Sequence, residues 1–335
     1  MVDGYQKRIP IWLDCDPGHD DAIAIILAAC SPKYQLIGIS TVHGNASLEK
    51  TTYNALSVLT SIGKENEIPV YKGSSKPLIR EPSYAPNIHG ESGLEGSNLL
   101  PKPKVKAYEN GYIEAIYKAI LDYKDELALV ATGTLTNIAK IFIKYPQLKF
   151  FLKKLSIMGG GINVFNWSLN SEFNIWCDPE AANIIFKDFI LNEKTILIPL
   201  DLTHKAIATI EIEKKILSNS ITNFRQLLYD LIIFFKKTYI EQQGFIKGPP
   251  VHDPLAVAVL LPFYNLEYEN YPLEFKFNTY KLQIIENGPE SGKLIILDNN
   301  FQNGIKVGYD MNINNFWNIV LETIQIADKT AAVNK

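Results

Sequence analysis

The feature that most constrains this chain is the alternation of short, apolar β-rich runs with longer segments of helical period. The runs are IPIWLD (9–14), QLIGIST (35–41), IPVY (68–71), LALVA (127–131), KLSIM (154–158) and TILIPL (195–200). Between them lie segments with helical patterning at 20–30, 47–62, 111–123, 134–145, 179–187 and 223–243. A strand with no polar alternation must be buried on both faces, which is the condition of a parallel sheet covered by helices. No Gly/Ser-rich linker or internal repeat divides the 335 residues. The pattern therefore predicts an α/β fold with a single large Rossmann-like domain, a mostly parallel central sheet flanked by helices. The last third departs from it. YKLQIIENGPESGKLIILD (280–298) reads as a C-terminal β-hairpin extension around an Asn/Gly/Pro turn. An amphipathic helix follows over about 313–328, and the polar tail 329–335 is expected to be disordered.

Composition narrows the function. With 33 basic and 36 acidic residues the net charge is −3, which argues against a chain built to hold nucleic acid or an anionic membrane. Cys15, Cys30 and Cys177 lack C-x-x-C spacing, so neither a disulfide framework nor a structural zinc site is expected. The opening MVDGYQKRIPIWLD has no signal-like apolar stretch, and no run is long enough to span a bilayer. A cytoplasmic location is expected.

The chemistry concentrates in Asp14-Cys15-Asp16-Pro17-Gly18-His19-Asp20-Asp21, four carboxylates in eight residues between a buried strand and an apolar helix. Such a corner repels itself unless protons or a cation neutralise it. Asp14 and Asp16 share one side of an extended segment, whereas Asp20 and Asp21, adjacent in a first helical turn, point in different directions. That suits one acid on a metal and its neighbour on a ligand. An all-carboxylate donor set selects a hard cation, Ca²⁺ or Mg²⁺. Capping of the helix by Asp20 and Asp21 accounts for two acids, not four.

Polar residues also follow the other strands, at the edge where parallel sheets bind ligands. They are His43-Gly44-Asn45, Thr132 to Asn137, Gly159-Gly160-Gly161 with Asn163 and Asn166, and Asp201 to His204. Neutral amides beside a cation suit a polyhydroxylated ligand such as a sugar. In Asn170–Trp176, Glu172 and Asn174 alternate with Phe173 and Ile175, as on one side of an extended segment. Asp253 fits an N-cap or a metal ligand, and His252 before it is a candidate general acid. Asp178-Pro179 reads as a cap followed by a first-turn proline, and Asn137 as structural.

With these residues in place, the chain resembles the inosine-uridine preferring nucleoside hydrolases over nearly its whole length. The marks are DCDPGHDDA (14–22), HGN (43–45), ATGTLTNIA (131–139), MGGG (158–161), SEFNIWCDPEAA (171–182), LDLTHKA (200–206) and HDP (252–254). The flanking text, including YAPNIHG and TYIEQQGFIKGPPVHDP, is most like the uridine-preferring fungal members. The resemblance implies Ca²⁺ held by Asp16, Asp21, Asp253 and the carbonyl of Thr132. It implies ribose contacts from Asp20, Asn45, Asn166, Glu172 and Asn174, with the backbone of Met158 nearby. Asp16 would be the base that deprotonates the attacking water, and His252 the group nearest the leaving base. His89, Tyr239 and Gln243 would line the base pocket. One departure is Phe165, where the family commonly has glycine, which puts Asn163 and Asn170 forward as substitutes for Asn166. The implied reaction is hydrolysis of uridine to uracil and ribose in pyrimidine salvage, with a broad or purine-preferring hydrolase as the alternative, by a homodimer or homotetramer. Rival readings are an aspartate-nucleophile phosphohydrolase, disfavoured by Pro17-Gly18 after the second Asp, and a non-catalytic nucleoside-binding protein. Activity confined to phosphate esters, or nucleoside recovered intact, would mark them.

Overall fold

The computed structural model describes residues 7–299 and 301–335; the first six residues of the opening segment read above lie outside the described ones. Among the described residues nine strands form one sheet: β1 (Ile9–Cys15), β2 (Tyr34–Thr41), β3 (Val70–Lys72), β4 (Ala128–Ala131), β5 (Lys154–Met158), β6 (Thr195–Ile198), β7 (Lys276–Ile284), β8 (Leu294–Asp298) and β9 (Ile305–Asp310). Their spatial order is β3-β2-β1-β4-β5-β6-β9-β7-β8. The pairings from β3 across to β9 are parallel, and β7 runs antiparallel to both β8 and β9. The expected hairpin is thus present, but it is stitched to the parallel sheet by β9 rather than standing apart.

Every residue of β1, β4 and β6 is buried. Successive side chains go to opposite faces and so to two separate cores. Ile9, Ile11 and Leu13 of β1, with Ala128 and Val130 of β4, join a cluster that includes the helices His19–Cys30, Leu48–Ile62 and Ile313–Thr330. Trp12, Leu129 and Ala131 face the other way, against Tyr112–Asp122, Thr136–Lys144 and Pro179–Phe186. This two-sided burial is why the runs carry no polar alternation. The chain builds β1, β2 and β3 outward in one direction, then returns to place β4 on the other flank of β1. That reversal opens a crevice at the carboxyl ends of β1 and β4, where ligands bind in such sheets. Among the described residues no helix is long and apolar enough to cross a membrane.

Three local expectations are corrected. Asn170–Trp176 is not an extended segment: Phe173–Cys177 is a short helix capped by Glu172, whose carboxylate accepts from the amides of Asn174 and Ile175. That local bond outweighs the alternating pattern. Asp253 is not the cap of its helix but its first residue, with His252 in the cap position. The tail 329–335 is not disordered. The last helix runs to Thr330, Ala331 is buried, and Ala332–Asn334 form a 3₁₀ turn. The reason is polar: Asn334 Oδ1 accepts from the amide of Phe224 at 2.9 Å, while its Nδ2 donates to the carbonyl of Asp328 at 2.8 Å. The tail thereby satisfies a free amide in the first turn of the helix Asn223–Gln243. Asp328 is also paired with Arg225 at 2.6 Å. Deleting residues 332–335 is therefore expected to lower stability by about 1–2 kcal/mol. Urea unfolding checks this, and an unchanged midpoint would show the contacts to be idle.

Candidate active site

The crevice is lined by residues from eight regions of sequence: Asp20; Asn45; Ala85 with Asn87–His89; Thr132; Met158; Asn166 and Trp167 with Glu172–Asn174; Phe235, Tyr239, Gln242 and Gln243; and His252 with Asp253. Its floor is the acidic corner. β1 ends at Cys15, Gly18 is extended, and the helix starting at His19 presents Asp20 and Asp21 in its first turn. Asp21 Oδ2 accepts from the amide of Gly18 at 2.9 Å and Oδ1 from the Thr132 hydroxyl at 2.8 Å. Asp16 Oδ2 accepts from the amide of Asn45 at 2.7 Å, and the Asn45 side chain bridges the Asp16 carbonyl and Asp21 Oδ2. Asp253 arrives from 232 residues downstream of Asp21, and carboxylate oxygens of Asp20, Asp21 and Asp253 lie within 4.8 Å of one another. Asp20 therefore does not point away from Asp21 as read from the sequence. Its Oδ2 accepts from the amide of His252 at 3.2 Å, and Asp253 meets both acids.

These four carboxylates are buried, and among the described residues no lysine or arginine forms an ion pair with any of them. Burial raises the protonation of all four; repulsion between the acids adds to it at Asp16, Asp20 and Asp253, while hydrogen bonds oppose it at Asp21. Asp20 is pushed up to about 7, Asp21 is raised, and Asp16 and Asp253 go well above the usual carboxylate range. A cation would reverse the effect. Asp16 Oδ1 is buried with no hydrogen-bond partner. The backbone crowds it on two sides: a Cβ on Gly133 would meet Oδ1 at 2.5 Å, and one on Gly44 would meet Oδ2 at 2.0 Å. An orphaned oxygen beside three more acids, all hard donors, fits Ca²⁺. The carbonyl of Thr132 accepts from Asn174 Nδ2 at 2.8 Å and keeps a second lone pair.

One wall is made by the segment after β5. Glu172 Oε2 accepts from the amides of Gly160 and Ile175, and Oε1 from that of Asn174. The turn bringing Gly160 there needs positive φ at Gly159 and Gly160. Burial raises the Glu172 carboxyl, and these three amides oppose the rise. Asn174 Nδ2 also lies 3.5 Å from the Met158 sulfur. Asn166 lines the crevice despite Phe165, because its side-chain oxygen accepts from the amide of Phe173 at 3.0 Å. The substitutes Asn163 and Asn170 do not line it, and Asn163 is spent on Asp201.

The opposite wall is aromatic. His252 Nε2 bonds the Tyr239 hydroxyl at 2.8 Å and Nδ1 bonds the Thr203 hydroxyl at 2.7 Å. Burial holds His252 well below the usual histidine range, so it is neutral with both ring nitrogens engaged. His89 packs against Phe235 and His19, with its Nδ1 3.1 Å from His19 Nδ1. Burial lowers both, His19 to about 4.

All the residues expected in the site converge here, Asp16 and Asp21 just beneath the lining. Asp14 does not line the crevice: its Oδ1 accepts from Ser40 and Asn137, and its Oδ2 is buried with no hydrogen-bond partner. Asp178 caps its helix as read. Sequence reasoning missed Asn87, Ile88, Trp167, Phe173, Phe235, Gln242 and any role for His19. Phe235 lies four residues before Tyr239 on one helix, and that spacing could have flagged it. The loop residues carry no such signal.

Comparison with known proteins agrees with this geometry. The profile of the family described as inosine-uridine preferring nucleoside hydrolase matches residues 11–318. The uridine nucleosidase of Saccharomyces cerevisiae is 46% identical, covering 98% of this chain and 99% of its own. A pyrimidine-specific ribonucleoside hydrolase of Salmonella arizonae is 40% identical over 76% of this chain and 79% of its own. Among solved structures, a purine-preferring ribonucleoside hydrolase from Gardnerella vaginalis superposes with a TM-score of 0.85 at 29% identity, covering 96% of this chain and 99% of that one. The chain belongs to the inosine-uridine preferring nucleoside hydrolase family and is an N-glycosyl hydrolase of nucleosides.

Proposed function

We propose that this nucleoside hydrolase is Ca²⁺-dependent and prefers uridine, releasing uracil and ribose for pyrimidine salvage. The observation that carries the reading is one crevice with an uncompensated carboxylate floor, an amide and carboxylate wall, and an aromatic wall. The names of the yeast and Salmonella relatives support the base preference.

Asp16, Asp21, Asp253 and the carbonyl of Thr132 would hold Ca²⁺, which when bound supplies charge that grips the sugar diol and acidifies the attacking water. Asp16 takes the proton of that water, since one of its oxygens is fixed by Asn45 and the other is free. Asp20, Asn45, Asn166 and Asn174 hold ribose hydroxyls. Glu172, anchored by three amides, sets a negative charge where the ring becomes oxocarbenium-like. Water attacks opposite the departing base with no sugar–enzyme bond, so inversion is expected. His252 and Tyr239 form a bonded pair on the aromatic wall where the base departs.

Asp16→Ala should lose tight Ca²⁺ binding and at least about a thousandfold in turnover, because base and ligand vanish together. Calorimetry of the metal-free protein and ribose release measure the two losses, and near-normal activity would refute the assignment. 2′-Deoxyuridine should fall about 10- to 100-fold below uridine in kcat/KM, the worth of a hydroxyl bonded to charged groups. Equal rates would remove the diol contact from the mechanism. His252→Ala should harm inosine more than uridine, because a purine leaves readily once a ring nitrogen is protonated, while His89→Ala should harm uridine more. Comparing kcat/KM for both substrates decides it, and equal proportional losses would show that neither histidine discriminates between bases.

A further inference from the structure

We infer that Arg80 is a positioning residue for the reaction. It ties the loop that carries Ala85–His89 to the helix that carries Phe173 and Asn174 and to the turn of the C-terminal hairpin, and so fixes the gap between two sides of the crevice. The inference rests on the reading that Ala85–His89 belongs to the base half of the crevice.

The loop has no scaffold of its own. Between β3 and the four-residue helix Pro86–His89, residues 73–85 form neither helix nor strand, and Ile79 is exposed. A segment with so little apolar burial lies where its polar contacts hold it. Arg80 supplies five of them. Its Nε and Nη2 donate to the two oxygens of Glu180 at 3.2 and 2.8 Å, a bidentate pair. Nη2 also donates to the carbonyl of Glu286 at 2.7 Å. Nη1 donates to the Ser291 hydroxyl at 3.1 Å and to the carbonyl of Trp176 at 3.4 Å. A guanidinium has five N–H groups, and here each has an acceptor. Lysine, a point charge on a flexible stem, cannot reproduce this planar set.

The acceptors come from separate elements. Glu180 lies on the helix Pro179–Phe186, Trp176 near the end of the helix Phe173–Cys177, and Glu286 and Ser291 in the turn between β7 and β8. Apolar contact continues the tie, since Ala85 and Ile88 pack with Phe173, Trp176 and Cys177. The turn is pressed onto the same helix: a Cβ on Gly292, whose φ is +85°, would meet the Trp176 Cα at 2.8 Å. The Ser291 hydroxyl in turn donates to the carbonyl of Glu286 at 2.8 Å, closing the turn around the guanidinium. The hairpin therefore braces the crevice from outside. Arg80 does not line the crevice, and the acidic floor is placed by β1 and β4. Its loss should loosen the loop side and spare the floor.

The test uses the Ca²⁺-loaded, full-length protein. Arg80→Ala should raise KM for uridine about tenfold or more, leave kcat within about threefold, and leave Ca²⁺ binding by calorimetry unchanged. A mere loss of folded enzyme has the opposite signature, a lower apparent kcat at constant KM, and that result overturns the inference. Ser291→Ala is the milder change. It removes one acceptor and should raise KM about threefold, yet add nothing in the Arg80→Ala background, because both act through one contact. Additive effects would overturn the part given to the hairpin. Inhibition by free uracil and by free ribose separates the inference from the reading beneath it. In Arg80→Ala, uracil should inhibit about tenfold less well and ribose as before. If ribose weakens in place of uracil, the tie stands and the assignment of Ala85–His89 to the base half fails. If neither weakens, Arg80 positions nothing and the inference falls.

Discussion

The repulsion among Asp16, Asp20, Asp21 and Asp253 is the constraint around which the rest of the molecule is arranged. Two like charges about 4 Å apart cost about 4 kcal/mol at an effective dielectric of 20, and burial adds to it. A protein under no functional demand would relieve this with a lysine or arginine. Here the buried or half-buried cations pair elsewhere: Arg80 with Glu180, Arg225 with Asp328, Lys236 with Glu213. The acids are instead held by neutral donors, the amides of Gly18, Asn45 and His252 and the hydroxyl of Thr132. Neutral donors orient a carboxylate without cancelling it, so the corner remains in want of a cation.

The sheet makes this arrangement affordable in geometry. Asp16 and Thr132 lie just past the ends of neighbouring strands, β1 and β4, and Asn45 lies past the end of β2. The two hydrophobic cores above and below lock those strands, so each end is placed by packing rather than by the site itself. The aromatic half is built differently. His89 comes from a four-residue helix, Phe235 and Tyr239 from one face of a long helix, and Trp167 from a loop. The acidic floor thus rests on the sheet, and the aromatic wall on what covers it.

The same division explains what could be read in the sequence. Double-sided burial leaves a continuous apolar run, so the strands from Ile9 to Ile198 and the helices between them were legible, as were Asp16, Asp20 and Asp21 at a strand–helix junction. Asp253 could be read as a cap or a metal ligand from its place before an apolar helix, but only the resemblance tied it to a corner more than 230 residues away. Asn87, Trp167 and Gln242 were illegible because a loop side chain meets the crevice through tertiary placement alone. Glu172 misled in its local structure: alternation suggested a strand, yet its own carboxylate caps a helix. The tail misled for a similar reason, its polar residues serving a distant helix end instead of water.

That tail has a consequence for the order in which the enzyme comes into being. The helix carrying Phe235 and Tyr239 has the amide of Phe224 in its first turn closed by Asn334. During synthesis the chain emerges from its beginning, and early segments organise before late ones exist. β1, the acidic corner, β2 and β4 are all available long before residue 334 leaves the ribosome. The acids of residues 16–21 therefore emerge well before Asp253 joins them, and the aromatic wall gains its Asn334 anchor only after residue 334 has been made.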